Sequence, residues 1–124
     1  MSKILLSIKP EHVVKILSGE KRFEYRTKAA RRDVTSLIVY ETAPVKRVVA
    51  EAEILEVLEL PPEELWARTE HHSGISKRFF DDYFAGRQVA YAYRLGKITL
   101  YDKPLELSFY GVKSAPQSFL YLND

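Results

Sequence analysis

The chain has 124 residues, 46% of them hydrophobic and 29% charged, with a net charge of +2, the balance of one ordinary globular domain over residues 1–124. It contains no cysteine, which excludes a disulfide framework, a zinc–thiolate centre and a cysteine nucleophile together. No apolar run approaches the ~18–20 residues of a membrane span and the N-terminus lacks a secretory pattern, so a cytoplasmic location without a membrane partner is expected.

Residues 3–8 are mostly apolar and stop before Pro10, which predicts a buried strand. Pro10 and Glu11 then open a helix, because proline suits the first helical turn and a carboxylate complements the positive helix end. Val13, Ile16 and Leu17 make one apolar stripe, and Gly19 is the expected left-handed stop. Arg22–Arg26 alternates, with Phe23 and Tyr25 inward and Arg22, Glu24 and Arg26 on a charged outer face. Thr35–Thr42 predicts another strand, ended by Ala43 and Pro44. Residues 47–60 mix strand-like alternation with helix-like composition. Val48 and Val49 at the start and Pro61–Pro62 at the end favour one long strand.

Pro62–Thr69 predicts a short helix with Glu63 and Glu64 in its first turn. Ser76–Ala85 predicts a second, capped by Ser76 and stopped by Gly86, with Phe79, Phe80, Tyr83 and Phe84 as its buried stripe. Val89–Leu95 and Lys97–Tyr101 predict a hairpin about Gly96, Leu105–Phe109 one more strand, and 115–122 the closing segment. Strands outnumber helices, which indicates an α+β fold, a small barrel decorated by helices.

Charge is distributed unevenly. Residues 1–50 carry 11 Lys/Arg against 5 Asp/Glu, whereas residues 51–70 carry one Arg against seven Glu. Between Lys21 and Arg32 lie six basic residues (Lys21, Arg22, Arg26, Lys28, Arg31, Arg32) and one acid, Glu24. A polyanion would be drawn there, although a solvated loop has the same composition.

The pattern Gly19-x-Lys21-x-x-Glu24-x-Arg26 after the first helix resembles the signature of the activating-signal-cointegrator homology (ASCH) domain, a member of the PUA-like superfamily. Ser7-Ile8-Lys9-Pro10, Tyr40-Glu41-Thr42-Ala43-Pro44, Ser73-Gly74-Ile75-Ser76 and Ala115-Pro116-Gln117-Ser118-Phe119 resemble further segments of the family in the same order. The resemblance implies a PUA-like mixed β-barrel of five to six strands, with helices packed across its openings. It also implies a cleft between barrel and helices where the charged residues of the motif gather. Related domains bind RNA or modified bases, a fold-level analogy for this chain.

Lys21 is the first candidate, either holding a phosphate as a point charge or, in a dry cleft, acting as a base or nucleophile. Arg26 and Glu24 share one strand face. Arg26 would hold a phosphate, and Glu24 would accept a proton or a base amino group. Lys9 and Tyr40 end strands, and the Tyr40 ring could stack on a base. Gln117 could read a base edge, and Ser118 could hydrogen-bond a phosphate. Lys28, Arg31 and Arg32 extend the basic segment. His71 and His72 read as solvated, His12 as facing solvent from the first helix, and Trp66 as core. No carboxylate spacing suggests a metal loop, so no metal ligand is expected.

Three functions follow. The first is binding of RNA or of a modified nucleoside in the charged cleft, with salt-sensitive affinity. The second is hydrolysis. One branch that the motif resembles removes the acetyl group from N4-acetylcytidine, but it carries threonine where this chain has Glu24. Another is credited with ribonuclease activity, for which Lys21, Tyr40 and Ser118 would be the catalytic candidates. A divalent metal would enter only in that case, and no other cofactor is expected. The third is a protein-interaction module using the acidic 51–70 stretch.

Overall fold

The computed structural model describes residues 2–30 and 33–122, so Arg31 and Arg32 lie outside the described residues. Strand β1 (Ser2–Ile8) leads into helix α1 (Pro10–Ser18), and β2 (Phe23–Arg26), β3 (Val34–Glu41) and β4 (Arg47–Leu60) follow. Helices α2 (Pro62–Thr69) and α3 (Lys77–Tyr83) flank a 3-10 turn at Glu70–His72. Strand β5 (Ala90–Leu105), a second 3-10 turn (Leu107–Tyr110) and β6 (Phe119–Leu122) complete the order. Among the described residues no helix is long and apolar enough to cross a membrane.

Six strands form one sheet in the order β2-β5-β4-β3-β1-β6. β1 and β3 run parallel, Ser7 facing Tyr40, and β6 returns antiparallel on the free side of β1. The α+β class and the strand number agree with expectation. The paired order has two ends, β2 and β6, among the described residues.

Side-chain alternation along β1 and β3 divides the core. Ile4, Leu6, Leu37 and Val39 join Val13 and Ile16 of α1 and Tyr93 in one cluster. Leu5, Ile38 and Tyr40 join Val48 in another, on the opposite side of these strands. A third cluster seats Leu65 of α2 and Phe80 of α3 against Phe23 and Tyr25 of β2. Full burial of one such aliphatic or aromatic side chain contributes about 1.5–3 kcal/mol, so this packing fixes where α1 and α3 stand.

Three sequence expectations are corrected. The hairpin about Gly96 is absent: β5 runs unbroken through it. A Cβ at Gly96 would run into the Glu53 carboxylate and Leu55, and the β4–β5 register shifts between Ala52 and Ile54 and again between Ile54 and Glu56. Glycine here admits a close approach at an irregularity of the ladder instead of a turn. Leu105–Phe109 is not one strand, because β5 ends at Leu105 and Leu107–Tyr110 turns as a 3-10 segment, placing Leu107 and Tyr110 against the Tyr40 cluster. The aromatic stripe of α3 is split: Phe80 and Phe84 are buried, but Phe79 is 47% and Tyr83 38% exposed.

Candidate functional site

The end of β1, the start of α1, strand β2 and one face of α3 meet around a cleft of about 230 Å3. That is below the roughly 300–1,000 Å3 of pockets that enclose a whole small molecule. It suits one ring or one charged group, with the rest of a ligand outside. Lys9, His12, Lys21, Glu24 and Arg26 supply its polar wall, and Ile75, Phe79 and Tyr83 its apolar one.

Lys21 reaches the cleft because the chain turns sharply after α1. Gly19 takes φ 85° as the C-cap, and the Lys21 N–H donates to the Lys15 carbonyl at 3.0 Å. The next residue is held from both sides: the Arg22 N–H donates to His72 O at 2.9 Å, and Arg22 O accepts from the Leu95 N–H at 2.9 Å. Lys21 is only 3% exposed. Its Nζ donates to the Ser73 carbonyl at 3.1 Å, lies 4.7 Å from the centre of the Tyr25 ring and stands 4.0 Å from Glu24 Oε1. Burial pushes the ammonium pKa below the ordinary lysine value, Glu24 opposes this, and Lys15 and Arg26 add to it.

Gly74 makes this position possible. Its φ is +68°, and a Cβ there would lie 2.5 Å from Lys21 Cβ. The neighbouring helix is tied to the same loop, since Lys15 Nζ donates to Gly74 O at 2.9 Å.

Glu24 is 6% exposed, so the outward face expected for β2 is a covered cleft wall. Its Oε2 accepts from Arg26 Nε at 3.0 Å and lies 2.9 Å from Nη2, which also donates to the Ser7 carbonyl at 2.8 Å. The carboxylate is thus held between a guanidinium and a lysine. Behind it, the Tyr25 hydroxyl donates to Thr69 Oγ1 at 2.6 Å, and Thr69 donates onward to Leu65 O at 2.8 Å. Burial pushes the Tyr25 phenol up to about 12.

His12 does not face solvent as its helix position suggested. It lines the cleft, its ring meets Phe79 edge-on at 5.6 Å, and its buried Nδ1 has no hydrogen-bond partner among the described residues. Burial, then Lys21, lowers its pKa. The signal for it was its spacing: it falls one helical turn after Lys9.

Lys9, Lys21, Glu24 and Arg26 are therefore brought together, while other candidates stand apart. Tyr40 pairs in register with Ser7, but its side chain packs with Leu5, Ile38 and Val48 and does not line the cleft. Gln117 and Ser118 precede β6, next to Pro116, whose carbonyl accepts from Ser7 Oγ at 2.9 Å; neither lines the cleft. Lys28 is exposed outside it. Among the described residues no group of three or more His, Cys, Asp or Glu side chains is placed to hold a metal ion.

The ASCH domain model matches residues 6–114. The large ribosomal subunit protein uL22 of Ureaplasma parvum is 29% identical over 120 residues, covering 96% of this chain and 39% of that protein. An ASCH domain-containing ribonuclease of Zymomonas mobilis is 30% identical over 92 residues, covering 73% of this chain and 62% of its own length. This chain thus spans less than two thirds of either relative. The crystal structure of ASCH from Zymomonas mobilis superposes with a TM-score of 0.88 at 26% identity, covering 98% of this chain and 87% of that one.

Proposed function

This chain belongs to the ASCH domain family, and we propose on that premise that its charged cleft is an RNA-binding site. The observation that carries the reading is the buried Lys21 ammonium, fixed by the Ser73 carbonyl and sharing one small cleft with Arg26 and the exposed Lys9. Lys9 meets phosphate as a solvated point charge, and the cleft accepts a single inserted group such as a base. The RNA-related name of the Zymomonas mobilis relative supports the choice of ligand. The PUA-like barrel and a cytoplasmic setting belong to the same proposal.

Hydrolysis of bound RNA is the second reading, favoured by the lowered pKa of Lys21, which raises its neutral fraction as a base. Ribonuclease chemistry through Lys21, Tyr40 and Ser118 would require all three at one phosphate, and only Lys21 lines the cleft. A divalent metal would then rest largely on the substrate's own phosphates. Amide hydrolysis on N4-acetylcytidine would have to use Glu24 as base for water, and Arg26 already engages that carboxylate. Binding is therefore the reading that the geometry supports best.

The test is fluorescence anisotropy of a labelled single-stranded RNA over a salt series, followed by a denaturing gel of the recovered RNA with and without chelator. Saturable binding that weakens with salt, with the RNA intact, is the expected result. Shortened RNA would move the reading to the hydrolase. Absence of binding at low salt would contradict both.

A further inference from the structure

Helix α3 carries aromatic side chains on two faces, and only one face serves the core. Phe80 and Phe84 pack together and against Tyr25. Phe79 and Tyr83, one turn apart, line the cleft and keep 47% and 38% of their surface in contact with solvent. Their rings are close to parallel, 14° apart in plane with centres 6.4 Å apart. Neither ring belongs to the buried cluster, which takes Phe80 and Phe84 from this segment, and an exposed helix position accepts most residue types.

Both rings are held in place. Phe79 meets the edge of His12. The Tyr83 ring meets Phe84 edge-on, 4.8 Å between centres. Lys9 and Arg26 line the same cleft. A flat, solvent-exposed aromatic surface beside cations is the arrangement that receives a base and its phosphate together. A base in a duplex cannot use it, because both of its faces are covered by its neighbours.

We infer that Phe79 and Tyr83 form a stacking platform for the base of an unpaired nucleotide, whose phosphate is held by the cations of the adjoining cleft. The inference rests on the RNA-binding reading and sharpens it to single-stranded or looped RNA. Affinity then has two separable parts, a salt-sensitive one from the cations and a base-dependent one from the rings.

The test compares two labelled probes of equal length by anisotropy: a single-stranded RNA, and a strand in which stable abasic spacers replace the nucleotides. Wild type is expected to prefer the RNA. Phe79→Leu is expected to lose about ten-fold on the RNA, the scale of one base–aromatic stack, with little change on the abasic strand. Phe79→Tyr and Tyr83→Phe, which keep the rings, are expected to bind as wild type. Phe79 is half exposed, so the leucine variant folds, and its thermal melt is the control. If Phe79→Leu and Tyr83→Leu bind RNA as tightly as wild type, or weaken both probes equally, the platform is overturned while the RNA reading stands. If wild type binds neither probe, the RNA reading itself falls, and the platform with it.

Discussion

Lys21 and Glu24 are three positions apart in the chain, yet Lys21 Nζ lies 4.0 Å from Glu24 Oε1 inside one cleft. Regular strand alternation would send these side chains to opposite faces. They meet because Lys21 sits in the turn before β2, where its N–H bonds back to Lys15 and the chain has not yet entered the pleat. The turn converts a short motif into a three-charge array, with Arg26 on the far oxygen of the same carboxylate.

Arg26→Ala should expose how this array is balanced. Without the guanidinium, Glu24 keeps only the more distant lysine, and a buried carboxylate losing its main partner costs about 3–5 kcal/mol. Urea denaturation should show a loss near that range. Combining Arg26→Ala with Glu24→Gln should recover part of it, since the amide needs no counter-charge. A double variant as unstable as the sum of the singles would contradict the coupling.

Gly74→Ala and Gly19→Ala separate backbone strain from steric conflict. Both glycines have positive φ, but a Cβ at Gly19 meets nothing within 4 Å, whereas at Gly74 it meets the Lys21 side chain. Gly19→Ala should cost about 1 kcal/mol and leave RNA affinity unchanged. Gly74→Ala should cost about 1–3 kcal/mol and weaken RNA binding as well, because Lys21 must move. Equal effects of the two in denaturation and anisotropy would refute the role assigned to Gly74.

His12 should titrate below 6.5 in an NMR pH series, because burial and then the Lys21 charge disfavour the imidazolium. A folded-state pKa lower than the unfolded one means that the unfolded chain binds the proton first as pH falls. The His12 contribution to stability should therefore be present above 6.5 and be lost as pH falls from there through the lowered value. Stability of wild type relative to His12→Phe, measured from neutral to acid pH, should decline over that window. A flat difference would count against burial of this ring.

Tyr25→Phe removes the hydroxyl that donates to Thr69 and should cost about 1 kcal/mol at neutral pH. The phenol is raised to about 12 from 10.0, so the unfolded chain ionises first as pH rises. Wild-type stability relative to Tyr25→Phe should fall between pH 10 and about 12. Parallel denaturation curves for the two proteins across that range would contradict the burial of the phenol.

Much of the local structure was legible in the sequence. Pro10 and Gly19 bracket α1, and the Pro61–Pro62 break ends β4, because these residues act through their own backbone geometry. Gly96 misled for the complementary reason: a glycine that breaks a strand and one that lets a side chain approach leave the same trace in sequence. The split face of α3 was hidden because Phe79, Phe80, Tyr83 and Phe84 read as one apolar stripe, and their spacing does not show how much of it the core covers. For the site, the motif carried Lys21, Glu24 and Arg26, whereas His12, Phe79 and Tyr83 depend on how α1 and α3 pack across it. Tyr40 shows the reverse: its partner Ser7 meets the cleft with the carbonyl that accepts from Arg26, whereas Tyr40 packs in a separate cluster with Leu5, Ile38 and Val48.

The most direct measurement is anisotropy of a labelled single-stranded RNA with wild type, Lys9→Glu and Lys21→Met, each at low and moderate salt. Lys9 is exposed, so its variant keeps the fold, and Lys21→Met keeps the buried stem while removing the charge. Wild type should bind at low salt and weaken as salt rises. Both variants should bind at least ten-fold more weakly at low salt and lose less with added salt, as expected when a phosphate contact is removed. RNA binding with the same affinity and salt dependence in all three proteins would place the ligand elsewhere and contradict the cleft as the RNA site.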